Sequence, residues 1–288
     1  ARLRIAQRNY KSTLGEWKNY TQTTAKAAQQ LFIQQCDRAY TLVTSGTISY
    51  TQAVKEAVDV IATQGVEVVY PTGHKDTIET ATLRAVRTGV SQMAAEMTDT
   101  RMDEMNWDII LASAHLGARV TDKEDFTNHY WWQGKFYSKS GKDKRFPPFS
   151  VCNMGHVQGI HGANCRHSHG PGDGVHNPFE HYDSEKNKVA YDLQQRQRLL
   201  ERRIRKTKRR VMGLKESVDS APDEPTRQTQ QEAYEKAAAL LQKQNQAYNQ
   251  FCKDHELKRL ADRISIAKWD REQAAQATAA AKRHNSKK

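Results

Sequence analysis

At 288 residues the chain is longer than one small core usually organises, which predicts two or three cooperative units, not a single compact domain. Its composition, 37% hydrophobic and 27% charged, includes no run approaching the roughly 18–20 apolar residues of a membrane helix, so a soluble protein without a helical span is expected. The net charge of +12 predicts attraction to polyanions, nucleic acid first and acidic protein surfaces next.

No charged, then apolar, then small-residue pattern opens the chain at Ala1, so no secretory signal is expected. The cysteines Cys36, Cys152, Cys165 and Cys252 are too few and too scattered for a disulfide framework, which points to a reducing compartment.

From Ala1 to about Asn106 the pattern is mostly helical, with a turn at Ser45-Gly46. Ser49 is placed to cap the next helix, with Gln52 reaching back, and Val54, Ala57, Val58 and Ile61 form its apolar stripe up to Gly65. The run Gly65 to Tyr70, closed by Pro71 and Gly73, reads as a strand or extended arm. A long helix then spans about Thr77 to Met105, its Ala81, Leu83, Ala85, Val86 and Val90 suiting a packed bundle face.

Between Trp107 and about Tyr182 glycine, proline, aromatics and histidine replace the alanine and glutamine of the flanks. This predicts a small α+β module with strands at Trp107–Ala112 and Lys135–Ser138 and turns at Pro147-Pro148 and Gly170-Pro171-Gly172. Helix returns after Tyr182, is interrupted around Asp219–Pro225, and runs on to about Lys282, which predicts a long antiparallel hairpin. The expected fold is therefore mainly α, with an N-terminal helical bundle (1–106), a His/Cys-rich α+β module (107–182) and a C-terminal hairpin of long basic helices (183–288).

Of the 11 histidines, eight lie in the middle module, at 115, 129, 156, 161, 167, 169, 176 and 181, beside Cys152 and Cys165. Imidazole and thiolate are the ligands tetrahedral zinc prefers, and a small loop-rich module gains most from a metal staple. The spacing matches no zinc finger, so two readings stay open: a structural metal site, or buried reduced cysteines among hydrogen-bonded histidines. A third use of the same residues is catalysis, with His115 and His129 as acid and base and Arg119 stabilising a phosphorane in a histidine-dependent nuclease.

Between Gln194 and Lys215 the chain carries Arg196, Arg198, Arg202, Arg203, Arg205, Lys206, Lys208, Arg209, Arg210 and Lys215 against one acid, Glu201. Residues three and four apart, such as Arg198, Arg202, Arg205 and Arg209, align on one helical face and can each neutralise a phosphate, giving salt-sensitive binding without sequence preference. The alternative partner is an acidic protein surface.

Three motifs in order carry a resemblance: Ala114-His115-Leu116-Gly117-Ala118-Arg119, His129-Tyr130-Trp131-Trp132-Gln133-Gly134-Lys135-Phe136 and Gly162-Ala163-Asn164-Cys165-Arg166-His167-Ser168. With Ala81–Gly89 upstream and Gln195–Lys206 downstream, the chain resembles phage minor capsid protein 2 from about Tyr40 to Arg263. It departs from that pattern in a longer, partly acidic insertion, Thr121 to Asn128.

The resemblance implies a structural virion protein inside the head near the portal vertex, assembled in the host cytoplasm. Its implied partners are the portal protein, other virion head proteins and packaged double-stranded DNA, and its implied role is to assist head assembly and DNA packaging or delivery; no enzymatic activity follows. It also places His115, His129, His161, Cys165 and His167 on or beside matched motifs, with Cys152 nearby, as the set that would hold zinc. His156 and His169 are set aside as incidental.

Overall fold

The computed structural model describes residues 4–5, 8, 24–35, 37–39, 41–42, 45–64, 67–70 and 73–287. Cys36, Gly65 and Pro71, and the side chains of Val54, Leu83, Ala85 and Val86, lie outside the described set. Helical residues within 24–42 precede α1 (Tyr50–Gln64), β1 (Glu67–Val69), β2 (Lys75–Thr77), α2 (Ile78–Glu104), β3 (Ile109–Ala112) and α3 (His129–Trp132). There follow β4 (Phe136–Ser138), β5 (His169–Pro171), α4 (Ser184–Asp219), α5 (Glu224–Asp254) and α6 (Arg271–Ser286). The protein is mainly α, as expected, with a small α+β part and a helical C-terminal region.

The chain divides into two compact units: Ala1–Asn19 with Thr80–Gln194, and Tyr20–Glu79 with Gln195–Lys288. In the first, α2 ends where Asn106 takes a left-handed backbone (φ 50°) and the Trp107 N–H reaches the Met102 carbonyl at 2.8 Å. That is a helix stop built on asparagine, and it turns the chain into β3. The apolar run of β3 forms the centre of a three-stranded antiparallel sheet in the order β4-β3-β5, with Ile110 opposite both Tyr137 and Pro171.

Strands β3 and β4 fall within the predicted ones. The Gly170-Pro171-Gly172 segment, expected as a turn, instead supplies the second edge strand, and the Gly172 N–H closes on the Ile109 carbonyl at 2.9 Å. Beneath the sheet Met102, Ile110, Ala112, Trp132, Tyr137, Phe149, Cys152 and Ile160 form one core. Each large side chain buried there contributes roughly 1.5–3 kcal/mol.

In the second unit Ser49 Oγ accepts the Gln52 N–H at 3.2 Å, so it caps α1 as expected, while Gln52 Nε2 turns forward to Glu56 Oε1 at 2.8 Å. The predicted strand is present as β1, paired antiparallel with β2 so that Val68 faces Asp76. Helices α4 and α5 form the expected hairpin. Asp223 caps α5 by accepting the Thr226 N–H at 2.8 Å, with Pro225 in the first turn where its missing donor costs nothing.

The continuous last helix expected to Lys282 is broken instead. Glu256 (φ 51°) and Lys268 (φ 60°) take left-handed conformations, Ile264 and Ile266 are buried, and Asp270 caps α6 through the Gln273 N–H at 2.9 Å. Helix α6 packs on α5, with Ala277, Ala280 and Ala281 meeting Ala233, Ala237 and Leu241 in a core shared with Ile204, Val211 and Leu214. Neither Glu256 nor Lys268 belongs to the residue types that announce a left-handed turn, which is why the break was not legible.

Candidate metal centre and basic face

Short helix α3 carries His129 into the interior of the first unit. Its cap, Asn128, accepts the Trp131 N–H at 3.2 Å and donates from Nδ2 to the Thr121 and Lys123 carbonyls at 2.9 and 3.0 Å. The long acidic insertion is thereby stitched to the start of the helix that presents His129. The facing loop is shaped by left-handed backbone at His161 (φ 59°) and Asn164 (φ 61°). At Gly162 an added Cβ would lie 2.5 Å from the Val157 carbonyl oxygen, so only glycine fits there. Arg119 clamps this loop from outside, donating to the Gln158 and Ala163 carbonyls at 3.3 and 3.0 Å.

Together these devices bring the side-chain donor atoms of His129, Cys165 and His167 within 4.8 Å of one another. Cys165 Sγ and His167 Nδ1 are 3.6 Å apart. Both rings are held in one tautomer. His129 Nε2 faces the Gln158 carbonyl at 2.8 Å, an oxygen that can only accept, so Nε2 carries the proton and Nδ1 the lone pair. His167 Nε2 lies 3.0 Å from Gln133 Oε1, which also takes the His115 backbone N–H at 3.0 Å and is thus an acceptor. His167 therefore also presents its Nδ1 lone pair, on the side of the Cys165 sulfur.

Burial keeps these imidazoles neutral, the state that binds metal: it drives His129 down to about 4 and His167 well below the usual histidine range, the latter with help from His115 and His129. Burial raises the Cys165 thiol, against the pull of backbone N–H groups from His167 and His161. Two oriented nitrogens, one sulfur and outer partners on both far nitrogens are a donor set that fits a borderline-soft divalent cation.

The remaining expected ligands have other partners. His115 stacks on His167 with ring centroids 4.3 Å apart and its Nδ1 meets Arg166 at 3.3 Å. Cys152 is buried beside the Tyr137 hydroxyl, and burial pushes its thiol up to about 12. His161 belongs to a buried chain. The Asp99 carboxylate accepts from His169 Nε2 at 3.2 Å, His169 Nδ1 accepts from His161 Nε2 at 2.9 Å, and His161 Nδ1 accepts the Ser91 hydroxyl at 2.8 Å. His169, set aside on sequence, is a central member of that chain. Its partner on α2, Asp99, lies 70 residues away, so no local spacing could have shown it.

The family model for phage minor capsid protein 2 matches residues 3–253 of the chain. The chain belongs to that family. Comparison with curated proteins and with solved structures returns no match. Membership assigns a structural role in a phage capsid and a place in the virion among other virion proteins. Among the described residues, no helix is long and apolar enough to cross a membrane.

In this minor capsid family member the basic segment of α4 is divided between interior and surface. Arg205 is buried with its guanidinium on the Arg263 carbonyl. Lys208 is buried too, bonded to the Ile264 carbonyl at 2.8 Å, set 5.1 Å from the Trp269 ring centre and pushed down by burial to about 8. Arg210 pairs with Asp59, and Arg198 and Arg209 are half-buried. Arg196, Arg202, Arg203 and Lys206 are exposed. Their spacing over roughly three turns keeps them on one side of the helix.

Proposed function

We propose that the protein lies inside the phage head near the portal and joins portal and other head proteins to packaged double-stranded DNA, assisting head assembly and DNA packaging or delivery. The observation that carries this reading is that a capsid-family chain of net charge +12 presents Arg196, Arg202, Arg203 and Lys206 on one exposed helical face. Such a face binds the phosphate backbone by counterion release, without reading bases, as a protein beside a genome of arbitrary sequence requires.

Zinc held by His129, Cys165 and His167 serves in this reading as a staple joining α3 to the Gly162–His167 loop. When bound it would supply a cross-link that a small sheet with one modest core otherwise lacks. Arg119, the group a nuclease reading would assign to the phosphorane, has both terminal amines on backbone carbonyls.

Cross-linking intact heads, followed by mass spectrometry, tests the placement. Cross-links from the α4 face to DNA and from the same chain to portal are expected. Recovery of the protein from the outer shell only, digested by protease added to intact heads, would refute it.

A further inference from the structure

Ser91 and Asp99 stand about 12 Å apart along the axis of α2, and the rings of His161 and His169 fill that interval in series. Each imidazole is held at both nitrogens, His169 between Asp99 and His161, and His161 between His169 and Ser91. A ring bonded at one nitrogen can pivot about that bond. A ring bonded at both cannot turn without breaking one of them, and because both residues are buried, a broken bond leaves a polar group unpaired away from water. Lys139 Nζ lies 3.7 Å from the Asp99 carboxylate and matches its charge.

The far end of this chain is the backbone of His161. It is left-handed (φ 59°), uncommon for a residue with a Cβ, and in that conformation its N–H points to the Cys165 sulfur, which also receives the N–H of His167. The Cys165 N–H closes the same turn on the Gly162 carbonyl at 3.1 Å. None of His129, Cys165 and His167 belongs to α2, so this helix reaches the sulfur through His161. Packing α2 against the loop would need only apolar side chains; a fully bonded polar chain fixes orientation as well. Orientation matters at a metal-bound thiolate, because N–H groups aimed at the sulfur stabilise its charge and set how strongly it donates.

We infer that Ser91 and Asp99 are positioning residues for the metal centre: with His169 they hold His161 so that its N–H supports Cys165 as a ligand. This role rests on the zinc reading of His129, Cys165 and His167, and extends it to residues of α2 that touch no metal.

Cobalt(II), which adopts the tetrahedral geometry of zinc and absorbs visible light, is the probe. The full-length protein is stripped of metal and titrated in five forms: wild type, Ser91→Ala, Ser91→Thr, Asp99→Leu and Thr98→Ala. Thr98 bonds the Ala94 carbonyl within α2 at 3.0 Å, so its replacement perturbs the helix without touching the chain. Circular dichroism confirms that each form is folded, and Ser91→Ala, at a half-buried position, decides the outcome if Asp99→Leu does not fold. Two quantities are read, the dissociation constant and the energy of the sulfur-to-cobalt charge-transfer band. That energy falls when the thiolate loses a hydrogen bond, because the sulfur then gives up an electron more easily.

Ser91→Ala and Asp99→Leu are expected to weaken cobalt binding by about tenfold, as loss of an outer partner does, and to move the band to lower energy. Ser91→Thr, which keeps the hydroxyl, and Thr98→Ala should match wild type in both. A band unmoved in Ser91→Ala and Asp99→Leu would overturn the positioning role while leaving the metal site standing, since loosened packing alone lowers affinity without changing the sulfur. Absence of cobalt binding in wild type would overturn the zinc reading and the positioning role with it.

Discussion

Gln133 and His167 are joined by one hydrogen bond, Oε1 to Nε2 at 3.0 Å, and through it a side chain that never meets the metal position decides which imidazole nitrogen faces Cys165. The same oxygen holds the His115 backbone N–H, so the amide cannot turn without losing two bonds.

Replacing Gln133 by Leu should leave the three donors present but free the His167 ring, and zinc affinity should fall by about 10- to 100-fold. Gln133→Glu, which keeps an acceptor at the same place, should retain most of it. Competition against a chromophoric chelator reads both. Equal affinities for Leu and Glu would show that the tautomer is set elsewhere.

Metal content separates the three convergent residues from the others. Elemental analysis should find one zinc per chain in wild type and in His115→Ala and Cys152→Ala, and none in Cys165→Ala or His129→Ala. Zinc at about a hundred times its dissociation constant should add about 2.7 kcal/mol to the stability of the first unit, visible as a chelator-reversible rise in melting temperature. Retention of stoichiometric metal by Cys165→Ala would remove the site.

Gly162→Ala places a methyl 2.5 Å from the Val157 carbonyl oxygen, with backbone on both sides and no flexible side chain to yield. A loss of about 1–3 kcal/mol is expected, along with reduced zinc affinity, because this loop carries Cys165 and His167. Thermal melts of the zinc-free proteins isolate the packing effect, and an unchanged melt would contradict the tight turn.

Acid should loosen the second unit through Glu235. Burial alone would raise this carboxyl, but hydrogen bonds from Lys287, Gln231 and Arg283 outweigh it and hold it at about 2. A carboxylate depressed in the folded state contributes stability above its unfolded value near 4.3, and that contribution disappears as pH falls toward 2. Because Arg283 and Lys287 are half-exposed, the contribution is about 1 kcal/mol after solvent screening. Glu235→Gln should be less stable at neutral pH and show a flatter acid profile between pH ~4.5 and ~2, followed by denaturant unfolding at each pH.

The helical segments, the small sheet's first two strands and the α4–α5 hairpin were legible because period, turn residues and apolar runs are local properties. The α5–α6 break was not, since it rests on Glu256 and Lys268 holding left-handed backbone that only tertiary packing imposes. The third strand was hidden for a related reason: a Gly-Pro-Gly segment reads as a turn until β3 presents an open edge to it.

The histidines and cysteines of the module could be gathered into a candidate set from composition alone, and the resemblance to minor capsid protein 2 pointed to the same residues. Sequence also determined the net positive charge, its concentration on α4 and the predominance of helix. Which donors meet was decided by the fold, because convergence of His129 with Cys165 and His167 depends on a capped four-residue helix facing a loop bent at His161 and Asn164. Which cations reach solvent was decided the same way. Arg205 and Lys208 turn inward to orphan carbonyls at Arg263 and Ile264, and an unpaired carbonyl buried after a broken helix is a demand that only the folded chain creates.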